Sequence, residues 1–129
     1  MSENKPTGGS FYRRTAVSNL HNAAEVLQWN IDKHYLNDLS SAGIPIVPTT
    51  FVDTDAVLAQ LLKAGASWSN VVVKPTVSAG SNDTALHAGH EDAVLHIREL
   101  LAKGKIPMVQ PYQSAIDEHG EVGLVYMAG

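Results

Sequence analysis

No cysteine occurs in the 129 residues, which removes disulfides, thiolate metal ligands and a cysteine nucleophile and fits a reducing compartment. Positive charge is scarce: 9 Lys and Arg stand against 13 Asp and Glu, for a net charge of −4. That balance offers no electrostatic footprint for a nucleic-acid backbone or an anionic membrane surface. An anionic ligand must therefore be held by local geometry. No run approaches the ~20 apolar residues of a membrane span, and the N-terminus lacks the apolar core of a signal peptide. The reading is a soluble, cytoplasmic protein with neither nucleic acid nor membrane as a partner. Two nucleotide signatures are missing as well, since no G-x-x-x-x-G-K-[ST] is present and no G-x-G-x-x-G opens a helix. No serine lies in a G-x-S-x-G elbow. What remains is 44% hydrophobic, enough for one domain with a real core.

That domain is organised around Val71-Val72-Val73-Lys74-Pro75-Thr76-Val77-Ser78-Ala79-Gly80-Ser81-Asn82-Asp83-Thr84. Three consecutive β-branched residues predict a strand buried on both faces, and Lys74 sits where it surfaces. Pro75 cannot donate to a ladder and ends the strand. The small residues that follow let bare backbone N–H groups approach an anion. A phosphate cradle is one reading, and an ordinary strand and turn with a surface lysine is the other.

Residues 1–19 are polar and rich in Gly and Ser at the start, and read as a disordered tail or cloning remnant. Asn22 is the expected N-cap of a helix through Trp29. A second helix is expected from Asn30 or Ile31, carrying Tyr35, Leu36 and Leu39 and stopped by Gly43. It places Lys33 in a first turn, where the helix dipole disfavours a cation unless something compensates, with Asp32 and solvent as the simplest screen. Ile44 to Val52 reads as extended chain bent at Pro48. Asp53 or Thr54 caps a helix with Val57, Leu58, Leu61 and Leu62 inward, ended by Gly65. Ser67 to Asn70 is a turn. After the central strand and loop come a strand over Thr84 to His87, a helix with Val94, Ile97, Leu100 and Leu101 inward, and a strand over Ile106 to Tyr112. A polar turn over Ser114 to Gly120 and a last strand over Val122 to Met127 follow. Setting aside the leading helices and last strand, the order is that of a split βαβ, ferredoxin-like α+β fold, with two helices on one face of a four-stranded antiparallel sheet.

Of the six histidines (His21, His34, His87, His90, His96 and His119), only His87 and His90 fall close with Glu91 beside them, and the spacing matches no H-E-x-x-H pattern. No metal site is expected. Gln110-Pro111-Tyr112 ends an apolar strand with an amide, a free carbonyl and an aromatic body, a set suited to a purine, although a strand running into a turn explains it equally well. Asp117, Glu118 and Glu121 cluster next, suited to a ribose diol or simply to solvent.

In their order along the chain, these segments resemble ATP-grasp enzymes of the glutathione synthetase and ribosomal-modification ligase type, and within them the group related to the cyclo-ligase of cycloserine biosynthesis. The matching pieces are Asn30 to Leu36 with Leu39 and Ala42 to Thr49, Val72 to Pro75 with Ser78 to Ser81, Met108 to Tyr112, and Gly120-Glu121 ahead of Leu124 to Met127. The likeness covers the chain from about Leu20 onward, and the joint order is more specific than any piece. It implies that Lys33 and Lys74 contact the phosphates of ATP and that the loop Ser78, Ala79, Gly80 and Ser81 closes over them. Gln110, Pro111 and Tyr112 would form the hinge beside adenine, and Glu121 would hold the ribose. It implies a nucleotide-gripping subdomain over residues 20–112 and, over 113–129, a hinge turn and the first strand of a second subdomain. The family joins a carboxylate to an amine through an acyl phosphate, with Mg²⁺ neutralising the transferring phosphate. Val122-Gly123 stand where members often carry a basic residue. The family's Mg²⁺ ligands and substrate-binding arginine come later than Gly129, so the chain looks like the first half of the grasp, inactive alone. From a different class, the expectation is an assembly module that forms a homo-oligomer through an exposed strand edge.

Overall fold

The structure, a computed structural model, describes residues 22–64 and 68–127. The expected tail, His21, the Gly65 stop and Ser67, the first residue of the expected Ser67 to Asn70 turn, lie outside the described residues. Helix α1 (Ala24–Ile31) begins one residue later than expected. Its N-cap is Ala23, whose carbonyl accepts from Val26 and Leu27, and no side chain caps it. The next helix, α2 (Tyr35–Ser41), starts only after a turn at residues 32–34. Lys33 therefore stands in a turn between helices and not in a helical first turn. The cause is Asp32, whose Oδ1 accepts from the His34 backbone N–H at 2.9 Å, an alternative to helix for the local backbone.

Gly43 closes α2 as expected. At φ +82° it lets Ile44 donate to the Leu39 carbonyl and Gly43 to that of Ser40, the paired bonds of a Schellman motif. The same pattern recurs at Gly104, where Lys105 donates to Leu100 and Gly104 to Leu101. Between Ile44 and Thr49 the chain forms no strand. Pro45 and Pro48 remove two donors, and only β1 (Thr50–Phe51) joins the sheet. Helix α3 (Asp55–Ala64) is capped by Thr54, whose Oγ1 accepts from Val57 N–H at 3.2 Å.

Strand β2 (Val71–Pro75), strand β3 (Ala85–His87), helix α4 (His90–Ala102) and strand β4 (Pro107–Pro111) complete the sandwich. The sheet order is β1-β4-β2-β3, antiparallel throughout. β1 and β2 are consequently parallel with β4 between them, and β3 and β4 are parallel with β2 between them. Both βαβ units are split, as the element order anticipated. The core lies on one face, where Val71, Val73 and Val109 meet Leu61 of α3 and Ala93, Ile97 and Leu100 of α4. In α4 the inward stripe is Ala93, Ile97 and Leu100, while Val94 is half-buried and Leu101 exposed, so the helix is rotated from the expected Val94–Leu101 stripe.

Burial in β2 alternates, with Val71, Val73 and Pro75 buried and Val72 and Lys74 half-buried. The expected burial on both faces gives way to one closed and one open face. Residues 114–120 are also not a plain turn, because Ala115–His119 forms a short helix, α5. The expected strand over Val122 to Met127 is not formed. No described strand pairs with it, and Val122 and Leu124 to Met127 are 74–84% exposed.

Candidate functional site

Cross-strand register decides what the open face displays. Val72 is opposite Gln110, Lys74 opposite Met108, and Phe51 opposite Met108 on its other side. These side chains point away from the helical core, and Val72, Lys74, Met108 and Gln110 floor a cleft of about 370 Å³. One wall is the α1–α2 turn, bringing Lys33, Tyr35 and Leu36. Pro111, Tyr112 and Ile116 form the other. The structure thus gathers Lys33, Lys74, Gln110, Pro111 and Tyr112 from three separate stretches of chain.

The turn that carries Lys33 is pinned from two sides. Its backbone N–H donates to the Thr76 carbonyl at 2.9 Å, and Thr76 is buried with its own N–H donating to Ile106. On the other side the His34 ring donates to Asp32 Oδ1 at 2.6 Å and stacks on Phe51 with centroids 4.2 Å apart. The Lys33 Nζ donates to Ser78 Oγ at 3.3 Å and reaches the Thr76 carbonyl at 3.5 Å. Ser78 thus touches Lys33 without itself lining the cleft. Ala79, Gly80 and Ser81 are exposed and stand outside the cleft lining, on a turn where Gly80 takes φ +62°.

Both lysines are electrostatically uncomfortable. Burial lowers the Lys33 pKa from its ordinary value of 10.5, the Lys74 charge lowers it further, and Asp32 opposes the shift. Burial also lowers Lys74, opposed by the charge of Glu121. Among the described residues neither ammonium group makes a salt bridge. Glu121 thus comes near enough to be felt by Lys74 without pairing with it. Two partly dehydrated cations facing one cleft are suited to an anion, because a bound anion would relieve both the dehydration and the mutual repulsion.

A pH signature follows. Unfolded, each lysine titrates near 10.5, and folded it titrates lower. Between the two values the unfolded chain holds more protons, so these lysines make stability rise with pH toward 10.5. Below the folded values both states are protonated and the full penalty stands. Urea denaturation across the alkaline window should show this rise, and the double replacement Lys33→Met with Lys74→Met should flatten it.

Two further groups shape the cleft. Gln110 Nε2–H donates to Thr49 Oγ1 at 2.9 Å, and Thr49 donates to the Val47 carbonyl at 2.7 Å, which fixes the amide and leaves its oxygen free. Tyr112 OH donates to Asp117 Oδ1 at 2.6 Å, a bond that raises the phenol pKa. The sequence reading missed Thr49 and the supporting roles of His34 and Phe51. Only the i, i+2 spacing of Asp32 and His34 hinted at a turn.

Elsewhere, His87 and His96 bond each other at 2.8 Å, and His96 also bonds the Asp83 carbonyl at 2.9 Å. Burial first, then His96, lowers the His87 pKa. Asp83 further receives Lys105 at 2.6 Å and Lys103 at 3.4 Å, so the far foot of the residue 77–83 loop is tied down. Among the described residues no three His, Cys, Asp or Glu side chains gather as a metal site, and no helix is long and apolar enough to cross a membrane.

Fold and site together define an α+β sandwich with a cationic cleft on its uncovered sheet face. No family model matches the chain. It is 35% identical over 123 residues to the cycloserine biosynthesis protein DcsG of Streptomyces lavendulae, a match covering 91% of this chain and 41% of that protein. The crystal structure of D-cycloserine synthetase DcsG superposes with a TM-score of 0.70 at 35% identity, over 86% of this chain and 40% of that one. The chain is thus homologous to DcsG and spans about two-fifths of its length.

Proposed function

We propose that this chain is the nucleotide-gripping part of an ATP-grasp ligase, one that activates a carboxylate as an acyl phosphate for attack by an amine. The observation that carries the reading is the pair of partly buried ammonium groups of Lys33 and Lys74 facing one cleft, neither of them in a salt bridge among the described residues. In this reading they bind the phosphates of ATP, and the Ser78, Ala79, Gly80 and Ser81 loop folds over them. Adenine lies along Gln110, Pro111 and Tyr112, with the oriented Gln110 amide at its edge, and Glu121 takes the ribose. Similarity to a synthetase supports ligase chemistry over simple nucleotide storage. Mg²⁺ is assigned no residue here. It would neutralise the transferring phosphate from ligands in the remainder of a DcsG-like fold.

With one jaw of the clamp, binding is expected to be weak, on the order of 0.1–1 mM. An NMR titration with ATP should move the resonances of Lys33, Lys74 and Tyr112 together and leave α4 unmoved. Tight, magnesium-dependent hydrolysis by this chain alone would refute the half-clamp reading. The exposed apolar side chains of Val122 and Leu124 to Met127 favour a second reading, assembly into a homo-oligomer. Light scattering separates the two, because a monomer stable to dilution ends the assembly reading.

A further inference from the structure

We propose that Lys74 is a covalent acylation site for small acyl phosphates, because the cleft sets an amine that makes no salt bridge among the described residues beside a second cation that can hold the phosphate. The inference rests on the reading that this cleft accepts phosphate groups. Five described lysines allow a comparison. Lys103 and Lys105 pair with Asp83 at 3.4 and 2.6 Å, and Lys63 is exposed at the last turn of α3. Lys33 donates to Ser78 and Thr76. Lys74 alone among them rises from an apolar sheet floor, opposite Met108 and two residues from Val72, which also lines the cleft.

The division of labour follows from those surroundings. Lys33, charged and tethered, holds the phosphate of the reagent. Lys74, free of such bonds, presents its nitrogen to the acyl carbon. Burial lowers the Lys74 pKa, against the opposing charge of Glu121, and so raises the share of neutral amine at a given pH. In the step itself the nitrogen lone pair forms a C–N bond to the carbonyl carbon. The C–O bond to phosphate breaks, its electron pair leaves on the phosphate oxygen, and the proton released by nitrogen goes to the departing phosphate. Amine and acyl phosphate become amide and hydrogen phosphate, with no oxidant or reductant needed. The product has lost a cation, so acylation weakens the hold of the cleft on phosphate ligands.

The test incubates the whole chain with acetyl phosphate and follows each lysine by mass spectrometry after cleavage at glutamates. Lys74 should be acetylated about tenfold faster than Lys63, the modest end of what local charge does to reagent concentration. Excess tripolyphosphate should suppress the reaction at Lys74 and not at Lys63. Lys33→Met, with its fold checked by circular dichroism, should remove most of the Lys74 preference for acetyl phosphate. The same variant should lose far less of its Lys74 reaction with p-nitrophenyl acetate, which carries no phosphate for Lys33 to hold. Equal rates at Lys74 and Lys63, or indifference to tripolyphosphate, overturns the proposal. Selective acetylation without any ATP binding would end the nucleotide reading and leave the acylation site standing. ATP binding with indiscriminate acetylation would do the reverse.

Discussion

Lys74→Met should weaken binding of ATP or tripolyphosphate about ten- to hundredfold, the effect of one charge-assisted contact worth roughly 1.5–3 kcal/mol. The replacement keeps an unbranched side chain on the cleft floor opposite Met108, so packing is little changed. Stability should move the other way. Burial disfavours the ammonium form of Lys74, and no salt bridge compensates it among the described residues. Removing the charge should therefore hold the urea midpoint level or raise it. Lost affinity with retained or improved stability marks a residue kept for a ligand. Calorimetry with tripolyphosphate and a urea titration on the same samples read both quantities, and unchanged affinity would remove Lys74 from the site.

Ile97→Ala should produce the largest loss of stability, about 2–5 kcal/mol, because a fully buried branched side chain leaves a cavity that its surroundings only partly fill. Ile97 belongs to the cluster that joins α3, α4 and the closed face of the sheet, with Leu61, Val73 and Val109. In a domain of this size that corresponds to a fall in melting temperature of about 10–20 °C. Leu95→Ala, on the same helix but exposed, should stay within about 0.5 kcal/mol. Thermal unfolding of the two variants in parallel checks the pair. An equal cost at both positions would mean that α4 does not pack as described. The cleft is on the opposite face, so the folded fraction of Ile97→Ala should still bind anions.

How much of this was legible depended on whether a signal was local. Gly43 announced its helix end because a left-handed residue after an apolar stripe is a local requirement. Val71 to Lys74 announced a strand by β-branching alone, and the order of elements around it indicated two split units. The cleft was not readable from periodicity, since it exists only through a register that sets Val72 and Lys74 against Gln110 and Met108 from more than thirty residues away. Resemblance, not spacing, put Lys33 with Lys74. Val122 to Met127 misled for the converse reason. Its composition suits a strand, but a strand is a relation between two segments, and no described segment answers it. Asp32 misled more subtly, because its side chain outcompeted the helix for one N–H.

The Thr76 carbonyl receives both the main chain and the side chain of Lys33, and the Thr76 amide is fastened to Ile106. With the His34–Phe51 stack, that one oxygen atom ties the leading helices to the sheet, like the second pin of a hinge. Whatever tilts the end of β2 swings the Lys33 ammonium with it, and deuterium uptake at these two amides is set by one shared opening.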